Sequence, residues 1–385
     1  MWEITHSTMS NPFEFNKIAC SENFVGRNDE LKRLSSNHIL LSNTALIAPQ
    51  GWGKTSLVRM SAELASRRDK DLRFCHVSLS NVRNEERFFE LLVHGVLRSV
   101  SKTQDDVIAN VKKYFVSTRP KVSFGEAGSL DFTVDFDWDD IRRHQDELLE
   151  LPYMVAGDMN AKMVVCIDDF QNISLFADPD AFMDLISSVW SHFEKVAFCI
   201  SGTSCPVVDR FVKSSRMFAR YGEVVNLGPV ASEGLVAMLR DRFADSGKYL
   251  DNEYAGLIVS LSEGNLFYMW RLASLSWLGT GVVCSEDVVL NARETFVDQM
   301  CLVFETMTAS FTTQQLCYLH AVLAGETVIS TAEVLHRHRI TSATSASRSK
   351  AALLEKGIVS TVGGKIVFAD PMYAYWLKSR YFVEK

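Results

Sequence analysis

A chain of 385 residues runs well past the roughly 100–200 of a typical domain, which excludes a single small module and predicts two or three cores in series. Its composition, 47% hydrophobic and 23% charged, is that of a folding chain and excludes a disordered one. A formal net charge of −7 excludes the broad positive field that would draw the whole molecule to nucleic acid or anionic lipid, so any such binding must be local.

The first stretch, MWEITHSTMSNPFEF, has no basic start followed by an apolar run, and nowhere do roughly 18 uncharged apolar residues follow one another. A cytoplasmic protein that makes no use of a membrane is expected. The eight cysteines, Cys20, Cys75, Cys166, Cys199, Cys205, Cys284, Cys301 and Cys317, form no CxxC pair. Several sit in apolar runs, so they read as buried reduced thiols.

Short apolar runs then alternate with longer amphipathic stretches. The runs at 44–48, 72–79, 163–168, 196–201 and 223–227 predict five strands of a parallel sheet covered by helices, an α/β core over 1–227. Between the second and third runs, Val122, Phe124, Leu130, Phe132, Val134 and Phe136 alternate with polar residues around a turn at 126–129, which predicts a β-hairpin insertion near 120–137. The carboxylates of Asp135, Asp137, Asp139 and Asp140 follow it. Alternation already accounts for their spacing, so they read as a charged edge strand leading into a helix start, not as a metal site.

After Gly228 and Pro229 come helical patterns near 232–246, 251–262 and 264–278, which predict a helical lid over 228–300. The segment 301–385 reads as helices at 313–323, 331–338 and 343–356, then two short strands around Gly363 and Gly364. Three helices and a glycine-turned hairpin describe a winged helix. His336 and His338 lie two apart on a helix and cannot share one face, which argues against a metal there.

The sharpest motif is Ala48, Pro49, Gln50, Gly51, Trp52, Gly53, Lys54, Thr55, Ser56, which follows an apolar strand and opens an amphipathic helix. That is the context of a phosphate loop. Gly51 and Gly53 let backbone N–H groups turn inward at phosphate oxygens, and the helix N-terminus adds its dipole. Lys54 would bridge the β- and γ-phosphates, and the Thr55 hydroxyl would ligate magnesium. Ala48 stands where the motif has its first glycine. A magnesium nucleotide also needs a carboxylate at a neighbouring strand end, and MVVCIDDF at 163–170 supplies Asp168 for the ion and Asp169 to orient the attacking water.

FVGRNDEL at 24–31, APQGWGKTS, CIDDFQ at 166–171 and the winged-helix pattern together resemble the STAND and archaeal-type ATPases among AAA+-like P-loop NTPases. The resemblance covers nearly the whole chain. It implies that Phe24, Val25, Gly26 and Arg27 lie against the adenine. It also implies that Ser201 or Thr203, at the end of the fourth strand, senses the γ-phosphate. Arg220 is the γ-phosphate arginine it implies, acting within the subunit or across an oligomer. Gly264 occupies a lid turn that touches the nucleotide in relatives, although Leu266 stands where they carry proline. Vigorous AAA+ ATPases carry Glu at the position of Asp169. The shorter acid withdraws its carboxylate by about one C–C bond, and a misplacement of ~1 Å can lower a rate ~100-fold, so slow turnover is expected.

From 311 to 385 the chain has nine basic residues against five acidic, a net +4, and the other 310 residues carry −11. Any DNA contact is therefore expected on the third helix of this module, through Arg348 and Lys350. Tyr373, Tyr375 and Trp376 read as core or intersubunit contacts, not as a base-stacking platform. The leading expectation is a magnesium-dependent ATPase whose nucleotide state controls a protein partner, an effector chain or self-assembly, as in signalling and defence-type STAND proteins. Two rivals stay open: a DNA-binding regulator or loader, and a nucleotide-binding scaffold without catalysis.

Overall fold

The apolar runs become strands in the computed structural model, which describes residues 11–13, 18–19, 23–115, 118, 120–126, 130–219, 222–362 and 364–383. The strands are β1 (Asn43–Ile47), β2 (Leu72–Ser78), β3 (Lys121–Phe124), β4 (Phe132–Asp135), β5 (Lys162–Asp168), β6 (Val196–Gly202), β7 (Gly222–Asn226), β8 (Val359–Val362) and β9 (Lys365–Phe368). The helices are α1 (Asn28–Ile39), α2 (Lys54–Arg68), α3 (Glu85–Val100), α4 (Gln104–Tyr114), α5 (Trp138–Arg143), α6 (Gln145–Asp158), α7 (Pro179–Trp190), α8 (Pro206–Ser214), α9 (Arg216–Ala219), α10 (Ser232–Asp245), α11 (Asn252–Leu261), α12 (Leu266–Gly279), α13 (Glu286–Ala309), α14 (Thr313–Leu323), α15 (Ala332–Arg337), α16 (Ala343–Glu355) and α17 (Pro371–Trp376).

The chain divides into two compact units, one of 18–49 and 53–228, the other of 1–17, 50–52 and 229–385. In the first, a parallel sheet runs β2-β5-β6-β1-β7. Strands covered on both faces must be apolar nearly throughout, and every residue of β6 is buried, as are Met163 to Ile167 of β5. Aromatic side chains fill the space beneath the helices: Trp190 of α7 stacks on Phe198 of β6 at 3.9 Å, and Phe182 meets Phe88 edge-on at 5.0 Å. Burying each such ring stabilises the fold by about 1.5–3 kcal/mol. The β3-β4 hairpin is antiparallel, with Val122 opposite Val134, and it turns Phe132 and Val134 into the core. Asp137 caps α5 by accepting from Asp139 N at 2.9 Å. Residues 127–129 of the expected turn lie outside the described residues.

Cys75, Cys166 and Cys199 stand on β2, β5 and β6, all buried, with Cys166 level with Cys199. The Cys166 thiol is pushed well up by its neighbour Cys199 and by burial, and burial alone pushes up Cys75. Cys284 is buried in the second unit, whereas Cys205, Cys301 and Cys317 are partly exposed, contrary to the expectation that they are core thiols. Cys20 lies outside the described residues.

Among its described residues the second unit is helical but for the β8-β9 hairpin and an isolated bridge between Tyr249 and Val283. Phe13 is buried between Phe243 of α10 and Trp270 of α12, which ties the start of the chain to these helices. The 24-residue α13 passes through residue 300 without a break. The hairpin pairs Val362 with Lys365, and Gly364 before the second strand takes φ +81°. At α17 the Asp370 carboxylate caps Met372 N and Tyr373 N and accepts from the Tyr268 hydroxyl at 2.5 Å. Tyr373 and Trp376 are buried against Phe304, and Tyr375 lies beneath Arg293 while its hydroxyl donates to Glu294. Tyr373 and Trp376 thus pack in the core, whereas Tyr375 is half-buried.

Candidate functional site

The end of β1 enters α2 through the loop 48–53, where Gly51 and Gly53 take φ +79° and +82°. Side chains disfavour that region, so glycine is what allows the reversal. α2 starts at Lys54 with no side-chain cap, which leaves its first N–H groups and the positive end of its dipole toward the loop. Lys54 is buried, and its ammonium donates to Ala48 O and Pro49 O, both at 2.9 Å. Burial depresses its affinity for the proton, and the carboxylates of Asp168 and Asp169 partly offset that.

Parallel register sets Leu46 level with Ser201 and Ile167 level with Ile200, so the carboxyl ends of β1, β6 and β5 fall together. There, Thr55 Oγ1 donates to Asp168 Oδ2. Ser201 Oγ donates to Asp168 Oδ1 at 2.6 Å, and Asp169 N reaches the same oxygen at 3.0 Å. Hydroxyl and carboxylate oxygens gathered in this way suit a hard divalent cation such as magnesium, which takes one or two carboxylates.

Asp169 adopts φ +56°, which Asp tolerates better than most side chains. Its Oδ2 accepts from Ser80 Oγ at 2.6 Å and its Oδ1 from Gln171 Nε2 at 3.2 Å. Thr203 N donates to Gln171 Oε1 at 3.0 Å. Sequence reasoning missed Ser80 and Gln171. The available signal was the place of Ser80 just beyond β2, whose last residue, Ser78, is level with Asp168.

Elsewhere in this unit, Ser56 Oγ accepts from Ala19 N at 3.0 Å. Phe24 and Val25 are half-buried and Gly26 has φ +78°. Arg27 is buried, donating to Gly228 O at 2.9 Å and to Glu30 Oε1 at 3.2 Å. Burial lowers its guanidinium against the opposing pull of Glu30. Arg220 lies outside the described residues.

Residues 50–52 group with the helical unit. Gly51 O accepts from Leu266 N at 2.8 Å, and Asn265 Nδ2 reaches Gln50 O at 3.5 Å. A Cβ at Gly51 would strike Asn265, and one at Gly264, where φ is +85°, would come within 3.0 Å of the Trp52 ring. Asn265, which also caps α12 by accepting from Tyr268 N at 3.1 Å, was not foreseen. Its signal was the helix start after Gly264. Arg348 and Lys350 are exposed on α16.

No family model and no curated protein matches the chain. Among solved structures, the Walker-type ATPase PABY2304 of Pyrococcus abyssi superposes with a TM-score of 0.64 at 13% identity, over 95% of this chain and 99% of its own. The ORC2 protein of Aeropyrum pernix, solved as ADPNP-ADP complexes, gives 0.57 at 15% identity over 95% of each chain. The Aeropyrum pernix ORC1 protein in complex with DNA gives 0.50 at 14% identity over 93% of this chain and 94% of its own. The likeness establishes the fold, a mixed α/β, AAA+-like P-loop architecture with a parallel-sheet core and helices.

Proposed function

We propose that this chain is a magnesium-dependent ATP-binding protein that hydrolyses ATP slowly and acts as a STAND-type switch, its nucleotide state governing a protein partner, an effector chain or self-assembly in signalling or antiviral defence. One observation carries the reading: Lys54, Thr55, Asp168, Asp169 and Ser201, drawn from three separate stretches of sequence, meet at the carboxyl ends of β1, β5 and β6. The proposed parts are an ATPase core over 1–227, a lid over 228–300 and a winged helix over 301–385, in a cytoplasmic protein.

In this reading Lys54 leaves Ala48 O and Pro49 O to bind the β- and γ-phosphates, while the N–H groups of the loop and of α2 surround them. Thr55 and Asp168 hold magnesium, which, when bound, neutralises charge on the phosphate oxygens. Asp169 orients a water whose oxygen bonds to the γ-phosphorus as the bond to the ADP oxygen breaks. The electron pair stays on ADP and the proton of the water passes to the Asp169 carboxylate. Ser201 fixes the orientation of Asp168, and Thr203 stands at the strand end where a γ-phosphate sensor belongs. Phe24, Val25 and Gly26 supply the adenine platform, with Arg27 anchoring that segment, and Arg220 reaches the γ-phosphate in cis or in trans. Gly264, against Trp52, lets the lid follow the loop tip. Calorimetry of Mg-ATP with the full chain and its Lys54→Ala variant tests the binding, and release of inorganic phosphate tests the chemistry. Turnover of many molecules per second without a partner would overturn the switch.

A second reading, a DNA-bound regulator or loader, has its own support in the exposed Arg348 and Lys350 on the basic C-terminal module. Loss of function on replacing both by Ala, with nucleotide binding intact, favours that reading.

A further inference from the structure

Gln171 lies in the 3-10 turn Phe170–Leu175 that follows Asp169, and the two ends of its amide do different things. Nε2 donates to Asp169 Oδ1 at 3.2 Å, and Oε1 accepts from Thr203 N at 3.0 Å. A carboxylate only accepts and a backbone N–H only donates, so this orientation of the amide is the one its partners allow. Its place is made by Gly202, the last residue of β6, where an added Cβ would sit 2.6 Å from Gln171 Oε1. Asp169 is held on its other oxygen by Ser80, and its backbone is in the left-handed region, so the aim of its short side chain depends on these two neighbours.

We propose that Gln171 is a positioning residue that ties the Asp169 carboxylate to the turn after β6, so that the acid that orients water and the strand end at Thr203 shift as one body. This rests on the reading of Asp169 given above and deepens it. A γ-phosphate that displaces the Thr203 turn then re-aims Asp169 through a single amide, and Asp169 is in register only when that turn is. Gln171→Leu removes both bonds at nearly constant volume. Gln171→Glu keeps the acceptor for Thr203 but sets an oxygen against the carboxylate. Gly202→Ala drives the amide out while leaving it in the sequence.

The test uses the full chain with two readouts. Hydrogen exchange of the Thr203 amide is followed without nucleotide, and the Mg-ATP dissociation constant is measured separately from single-turnover hydrolysis. Each variant is expected to keep its dissociation constant within about twofold while hydrolysis slows roughly 10- to 100-fold. Thr203 exchange should speed up in Gln171→Leu and Gly202→Ala but not in Gln171→Glu. Unchanged hydrolysis in Gln171→Leu beside an active wild type overturns the role of Gln171 and leaves that of Asp169 standing. Binding that weakens as much as hydrolysis slows, or Thr203 exchange unaltered in Gln171→Leu, also overturns it. A wild type that binds but never hydrolyses overturns the role of Asp169 and the positioning role with it, even where the exchange pattern shows the amide link.

Discussion

Lys54 spends its ammonium on two carbonyls of its own loop, so in the proposed reading a phosphate would have to replace both charge-assisted hydrogen bonds and add to them. Each such bond is worth about 1.5–3 kcal/mol, and Lys54→Ala should weaken Mg-ATP binding roughly 10- to 100-fold or more by calorimetry. Asp169→Asn keeps a residue that tolerates the left-handed backbone but removes the proposed proton acceptor. Binding should persist while phosphate release slows roughly 100- to 10,000-fold. The meeting of Lys54, Thr55 and Asp168 was legible because the phosphate-loop pattern runs over a few consecutive residues and calls for one strand-end acid beside it. Ser80 and Gln171 were not, because their worth depends on which strand ends lie side by side. Ser80 meets Asp169 across 89 positions of sequence.

His38 of α1 and Ser61 of α2 join two helices at 3.0 Å. Ser61 Oγ already donates to Val58 O, so His38 Nε2–H is the donor between them. Burial first, and His76 second, depress the imidazole from 6.5 to about 4. The folded chain therefore refuses a proton that the unfolded chain accepts below 6.5. The stabilisation is complete above that pH and fades as pH falls through about 4. It amounts to something on the order of 3 kcal/mol, and His38→Gln should flatten the slope of urea stability against pH over that window. At this scale the strands were legible to within a residue at each end, since short apolar runs bounded by polar residues are what a doubly covered parallel strand must be. The 24-residue α13 was not. Its buried Val289, Ala292, Phe296 and Phe304 keep helical spacing, but the exposed Leu302 and Val303 blur the apolar stripe near residue 300.

For the whole molecule, composition and rhythm announced an α/β core followed by helices, while the partition of the loop tip 50–52 into the helical unit could not be read from local pattern. Charge is uneven: +4 over 311–385 against −11 elsewhere. If the basic module meets DNA, titrations at several salt concentrations should show a steep loss of affinity, and Arg348→Ala with Lys350→Ala should lower the slope of log K against log salt by about two. A flat salt dependence removes DNA from the account. The buried thiols give each unit its own stopwatch. Cys75, Cys166 and Cys199 sit inside the sheet unit and Cys284 inside the helical one. A thiol-reactive dye should colour Cys205, Cys301 and Cys317 at once and reach Cys75, Cys166, Cys199 and Cys284 only as their own unit opens. Digesting the chain and timing dye uptake peptide by peptide would then rank the two units by how often each lets solvent in, with no engineered label.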